Sequence, residues 1–196
     1  TFQVNVGYLC NLLCRHCHLE AGPERREIMT VETMNDVIDY ASRVRFETID
    51  ITGGALELVP GIQSFLVRLA PLTRKLILRT NLVAFREEMA SGLMEACREM
   101  GVVLVASFPS INTAQTDAQR GKGFWEKSIA VLRDINQLGY GRPGSRLTLD
   151  LVVNPAGAFL PGNQDQAEKR FKLFLERQGI VFNSLYSFAN APLGRY

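Results

Sequence analysis

Residues 3–18 read QVNVGYLCNLLCRHCH. The first seven, QVNVGYL, form a short run rich in β-favouring residues, read as a strand over 3–9. It leads directly into Cys10, Cys14 and Cys17, three of the chain's four cysteines within eight residues. Working outward, similar runs recur at 47–52 (ETIDIT), 75–80 (KLILRT), 102–107 (VVLVAS), 147–153 (LTLDLVV) and 180–186 (IVFNSLY). Several are apolar at nearly every position, the pattern of parallel strands covered on both faces.

Between these runs lie stripes of helical period. Met34, Val37, Ile38 and Ala41 follow Thr30, a candidate N-cap. Ile62, Phe65, Leu66 and Leu69 precede Pro71, and Met89, Leu93, Ala96, Cys97 and Met100 precede Gly101. Trp125, Ile129 and Leu132 mark a fourth helix, and Phe171, Phe174 and Leu175 a fifth. Strands alternating with helices predict an α/β fold with a parallel sheet and right-handed crossovers. A partial (β/α)6 TIM-like barrel is the first expectation and a doubly wound open sheet the second. In both, chemistry belongs at the C-terminal ends of the strands. Polar and glycine residues gather there: Thr52-Gly53-Gly54-Ala55-Leu56-Glu57, Asn81, Ser107-Phe108-Pro109-Ser110 and Asn154-Pro155.

Composition fits this reading. With 196 residues, one domain spanning 1–196 is expected, and 46% apolar residues exclude a disordered or collagen-like chain. Twenty-two basic residues against 20 acidic ones, interspersed, give a net charge of only +2 and speak against a nucleic-acid partner. No run reaches the roughly 18 apolar residues of a membrane span, and no charged-then-apolar export signal opens the sequence. A cytoplasmic location is the expectation.

The cysteine cluster has four readings. CRHCH at 14–18 matches covalent haem attachment, which leaves Cys10 without a task. Structural zinc would take the three cysteines with His16 or His18. A redox pair of Cys14 and Cys17 would want a helix beginning at the motif, whereas Gly22-Pro23 and a charged stretch precede Thr30. Iron–sulfur ligation uses all three thiolates, and a four-iron cluster would then keep one iron open for a small chelating molecule.

C-x3-C-x2-C after strand one, with Gly-Gly after strand two, resembles the radical S-adenosylmethionine (SAM) superfamily, and the resemblance runs from Gln3 to about Arg195. It implies a partial (β/α)6 barrel, a [4Fe–4S] cluster on Cys10, Cys14 and Cys17, and SAM chelated by the open iron and cleaved reductively to a 5′-deoxyadenosyl radical. It also implies a small-molecule substrate and a flavodoxin- or ferredoxin-like electron donor. The cofactor-binding positions it carries over are His16 beside the adenine, Gly53 and Gly54 beside the methionyl amino group, and Asn81 and Ser107 near the carboxylate or ribose. Asn154 would contact ribose or adenine. The superfamily's glutamate directly follows the second glycine; here Ala55 and Leu56 come first and Glu57 takes that part.

The stretches QVNVGYLCNLLCRHCHLEAGP, DITGGALE, DAQRG and FNSLY with NAPLGR look like the arsenosugar-biosynthesis (radical SAM/Cys-rich domain) proteins. Those imply transfer of the deoxyadenosyl group to a methylated trivalent arsenical. That family carries a cysteine-containing C-terminal half, which this sequence lacks, and a cysteine after strand four where Ser110 stands. The rival from another class is a non-catalytic barrel binding zinc at the same three cysteines. Plainer roles stand beside the sharp ones. Cys97 fits a core position, while Asn81, Ser107 and Asn154 fit strand-end caps. Glu24–Glu27 fits a solvated face. Asp117, Gln119 and Arg120 fit a structured loop or a substrate contact, and Asn183, Tyr186 and Asn190 fit the substrate side.

Overall fold

The computed structural model describes residues 1–153, 163–188 and 195. Its elements are β1 (Phe2–Asn5), α1 (Val31–Val44), β2 (Thr48–Thr52), α2 (Ile62–Leu69), β3 (Lys75–Thr80), α3 (Leu93–Met100), β4 (Val103–Ser107), α4 (Thr113–Arg120), α5 (Phe124–Gln137), β5 (Leu149–Val153), α6 (Gln164–Glu176) and β6 (Leu185–Ser187). The six strands form one sheet in the order β1-β2-β3-β4-β5-β6, every pair parallel. A doubly wound sheet reverses its strand order partway. This order never reverses, which selects the partial barrel.

The register sorts side chains into two faces, because successive strand residues point oppositely. Ile49, Ile51, Leu76, Leu78, Leu104, Leu149 and Leu151 are buried outward, against Met34, Ile38, Phe65, Leu66, Leu93, Ile129 and Leu132 of the helices. The alternate positions, which line the barrel, carry Gln3, Asp50, Arg79, Ser107 and Asp150. Truncating one of the outer leucines, Leu66→Ala for example, removes packing worth about 2–5 kcal/mol.

Local signals acted where expected. The Thr30 hydroxyl accepts from the Thr33 N–H at 3.3 Å and starts α1. Gly101 caps α3. Four expectations need correction. The first strand ends at Asn5, not residue 9, because the chain then leaves the sheet: Tyr8 N–H donates to the Glu27 carbonyl at 2.8 Å and Met29 N–H to that of Val6 at 2.8 Å. Met89 lies in a short 3-10 turn and is exposed, outside the α3 stripe. Helix α4 was not expected, since its sequence TAQTDAQR carries no apolar stripe; Asn112 starts it by accepting from the Gln115 N–H at 2.9 Å. The last apolar run pairs only over Leu185–Ser187. Its earlier part, Ile180 and Phe182, fills the core as loop, while Asn183 Oδ1 accepts the Leu149 N–H at 2.8 Å.

Candidate active site

Cys10, Cys14 and Cys17 are free thiols that line one cavity of about 240 Å³ at the C-terminal rim of the sheet. The loop carrying them has no regular structure of its own and is closed by backbone bonds. Cys10 N–H donates to the Gly22 carbonyl at 3.2 Å, Gly22 N–H to that of Tyr8 at 3.1 Å, and Arg15 N–H to that of Gln119 at 3.0 Å. Two sulfurs already accept hydrogen bonds. The Asn81 amide reaches Cys10 Sγ at 3.6 Å and the Ala21 N–H reaches Cys17 Sγ at 3.4 Å. Asn81 is itself fixed, donating to Asn11 Oδ1 and accepting from the Ala84 N–H, each at 2.9 Å.

Burial pushes the Cys10 thiol up to about 11, opposed by the backbone at Leu12 and the Asn81 amide. Burial raises the Cys14 thiol too, opposed by the nearby Arg120 and Arg195 guanidinium groups. These thiols stay protonated until positive charge arrives, which a metal centre supplies. Among the described residues, no three His, Cys, Asp or Glu side chains converge on one point as ligands of a single ion would. A cuboidal cluster holds its thiolates on separate corners and asks for no such convergence.

The Gly53-Gly54 turn forms the wall beside the cysteine loop. A Cβ on Gly54 would stand 2.2 Å from the Leu9 carbonyl oxygen, so only glycine lets the two loops meet. Gly53 has φ +153. Gly54 N–H donates to the Gly7 carbonyl at 2.9 Å and Ala55 N–H to that of Leu9 at 2.8 Å.

The cavity gathers His16, His18, Gly53, Gly54, Asn81 and Ser107 with the three cysteines. His16 is neutral at physiological pH: burial, with Arg120 and His18 adding to it, pulls its imidazole down to about 4, and its buried Nδ1 has no partner among the described residues. Glu57 is placed elsewhere. It is 1% exposed, does not line the cavity, and accepts from the Thr80 hydroxyl behind the wall; burial pushes its carboxyl up to about 7. Asn154 and Asn190 lie outside the described residues. Asp117 caps α5, accepting from Gly123 N–H at 2.7 Å and Trp125 N–H at 2.9 Å. Asn183 serves β5 as described, and Cys97 is fully buried in the core.

Two arginines also line the cavity. Arg79 of β3 grips Asp50 of β2, with Nε 2.9 Å from Oδ1 and Nη2 2.8 Å from Oδ2, while Gln3 donates to the same carboxylate at 3.0 Å. Arg120 is 8% exposed, and its buried Nε has no partner among the described residues. Sequence reading passed over Arg79 and Asp50. Their signal was a charge at an inward position of an otherwise apolar strand.

The chain is 26% identical over 140 residues to the antilisterial bacteriocin subtilosin biosynthesis protein AlbA of Bacillus subtilis strain 168, covering 71% of this chain and 30% of AlbA. It is 26% identical over 139 residues to the mycofactocin maturase MftC of Mycolicibacterium smegmatis, covering 69% of this chain and 34% of MftC. It thus spans about a third of the curated relatives it matches. Among solved structures, Streptococcus suis SuiB bound to SAM superposes with a TM-score of 0.71 at 14% identity, over 97% of this chain and 41% of SuiB, sharing the partial-barrel fold. The superfamily so matched works with a [4Fe–4S] cluster and SAM. Since its family model matches residues 4–155, the chain belongs to the radical SAM superfamily.

Proposed function

We propose that this chain is the core domain, residues 1–196, of an enzyme that cleaves SAM reductively at a [4Fe–4S] cluster held by Cys10, Cys14 and Cys17. The observation that carries this is the joint lining of one rim cavity by three free cysteines and a Gly-Gly turn that no larger residue fits. When bound, the cluster supplies the electron that breaks a carbon–sulfur bond of SAM and yields a 5′-deoxyadenosyl radical.

This chain's residues bind and orient. Gly53 and Gly54, whose packing against the cysteine loop makes the cavity wall, present backbone to the amino end of SAM, and the neutral His16 ring offers an uncharged face to adenine. Asn81 and Ser107 supply polar contacts to the carboxylate or ribose, and Arg120, whose Nε has no partner among the described residues, supplies a charge for the carboxylate. Asn154 is kept as a ribose or adenine contact. Glu57 acts as a buried support of Thr80 at the wall. The substrate is a small molecule, and the motif resemblance favours a methylated trivalent arsenical as acceptor of the deoxyadenosyl group. A flavodoxin- or ferredoxin-like protein provides the electron, in the cytoplasm. No helix among the described residues is long and apolar enough to cross a membrane.

A peptide substrate is the second reading. AlbA and MftC are named for biosynthesis of subtilosin and maturation of mycofactocin, and a SuiB structure holds the precursor peptide SuiA.

The test is anaerobic reconstitution with iron and sulfide, then SAM and dithionite. A brown protein that forms 5′-deoxyadenosine supports the reading. Product carrying adenosyl and arsenic after addition of a trivalent methylarsenical selects the first substrate; turnover only with a peptide selects the second. A colourless protein holding stoichiometric zinc sinks the enzyme reading and favours the zinc-binding barrel.

A further inference from the structure

One residue distant in sequence ties the cysteine loop together. Arg195 lies 181 residues from Cys14, yet its Nε donates to the Cys14 carbonyl at 3.1 Å, its Nη2 donates to the Ala21 carbonyl, and its backbone N–H donates to the Cys17 carbonyl at 3.2 Å. The three acceptors span the loop from its second cysteine to its exit. No strand or helix holds them: among the described residues, Cys14 and Cys17 otherwise accept only local turn bonds, from the Cys17 N–H at 3.4 Å and the Glu20 N–H at 3.2 Å. The guanidinium fork suits this bridging: it is planar, permanently charged and presents several donors in fixed geometry.

Resting on the cluster reading above, we propose that Arg195 is a positioning residue for the cluster: it clamps the loop between Cys14 and Ala21 and sets a positive charge beside the ligands. The clamp has two separable effects. Hydrogen bonds to three loop carbonyls fix the backbone between the second and third cysteines, so the loop need not be ordered when a cluster binds. The charge favours the more negative, reduced state of a cluster on that loop, since net charge and local hydrogen bonding set such potentials.

The test compares the whole chain with Arg195→Gln and Arg195→Lys, circular dichroism first establishing that both variants are folded. Hydrogen exchange of the apo protein reads the clamp without any cluster. In Arg195→Gln, amides of residues 14–22 are expected to exchange at least about tenfold faster, with the strands unaffected. In the reconstituted protein, iron loss to a chelator is expected about tenfold faster. The cluster should also become about tenfold harder to reduce, a fall of about 59 mV for a one-electron couple. Arg195→Lys, keeping the charge but not the fork, should hold the potential near wild type while losing the loop protection. Unchanged exchange in Arg195→Gln overturns the clamp. Faster exchange with unchanged iron loss and potential overturns the positioning role and leaves a structural strap. If wild type takes up no cluster, the enzyme reading fails, whereas the exchange experiment still decides the clamp.

Discussion

The four cysteines divide between two regions that treat the same side chain differently. Cys97 sits on the buried stripe of α3, fully enclosed in the core, where burial and the neighbouring Glu57 hold its thiol in the protonated form, with its pKa at about 12. Cys10, Cys14 and Cys17 sit on an irregular loop whose backbone is held from elsewhere, by Gly22, Gln119 and Arg195, and their thiols face a shared cavity. Burial raises the thiol pKa of Cys10 and Cys14 as it does that of Cys97. The difference is access: the loop thiols open on a space that a metal centre can enter, and Cys97 does not.

The sharpest way to break this comparison is Cys14→Ala against Cys97→Ala. Iron retained after anaerobic reconstitution should fall by more than about 100-fold in the first, beyond what loss of a supporting hydrogen bond costs, and stay at the wild-type level in the second. Equal losses would erase the distinction between the two regions.

The next effect belongs to the buried layer around Cys97. Glu57 there is raised from about 4.5 to about 7. Within that window the folded chain keeps a proton that the unfolded chain has released, so the contribution of Glu57 to stability falls as pH rises. It is complete below about 4.5 and gone above about 7. The stability difference between wild type and Glu57→Gln, from urea denaturation of the apo protein, should shift by about 3 kcal/mol across that window, wild type losing ground at high pH. A pH-independent difference would place the carboxylate in contact with water.

On the rim side, Gly54→Ala should cost about 1–3 kcal/mol in the same assay. Its Cβ would meet a backbone oxygen, which cannot swing aside. It should also weaken SAM binding to the loaded protein, measured by equilibrium dialysis. The smallest effect is Cys97→Ala itself, about 1 kcal/mol of lost packing with cluster binding intact.

These contrasts also mark what a reader of the sequence sees. The outer face of the sheet was legible because Ile49, Leu78, Leu104 and Leu151 belong to compact apolar runs, and the stripes of α1, α2 and α5 repeat at helical spacing. The cysteine loop was legible from spacing alone. Helix α4 was not, since only Thr116 and Arg120 of its eight residues are buried and its start rests on one Asn112 side chain. The polar lining of the barrel was hidden in the same way. Asp50 and Arg79 stand in runs that read as core, and only the register across β2 and β3 shows that they meet. Arg195 was hidden by distance, because no local pattern announces a contact 181 residues away.

That distance has a consequence during synthesis. At about 5–20 residues per second, the cysteine loop leaves the ribosome roughly 10–40 s before the arginine that ties it. A nascent chain therefore presents its thiols on a loop that lacks this tie for that interval, held only by its bonds within residues 1–119. Once Arg195 has docked, the three sulfurs stand around one cavity on a tied loop.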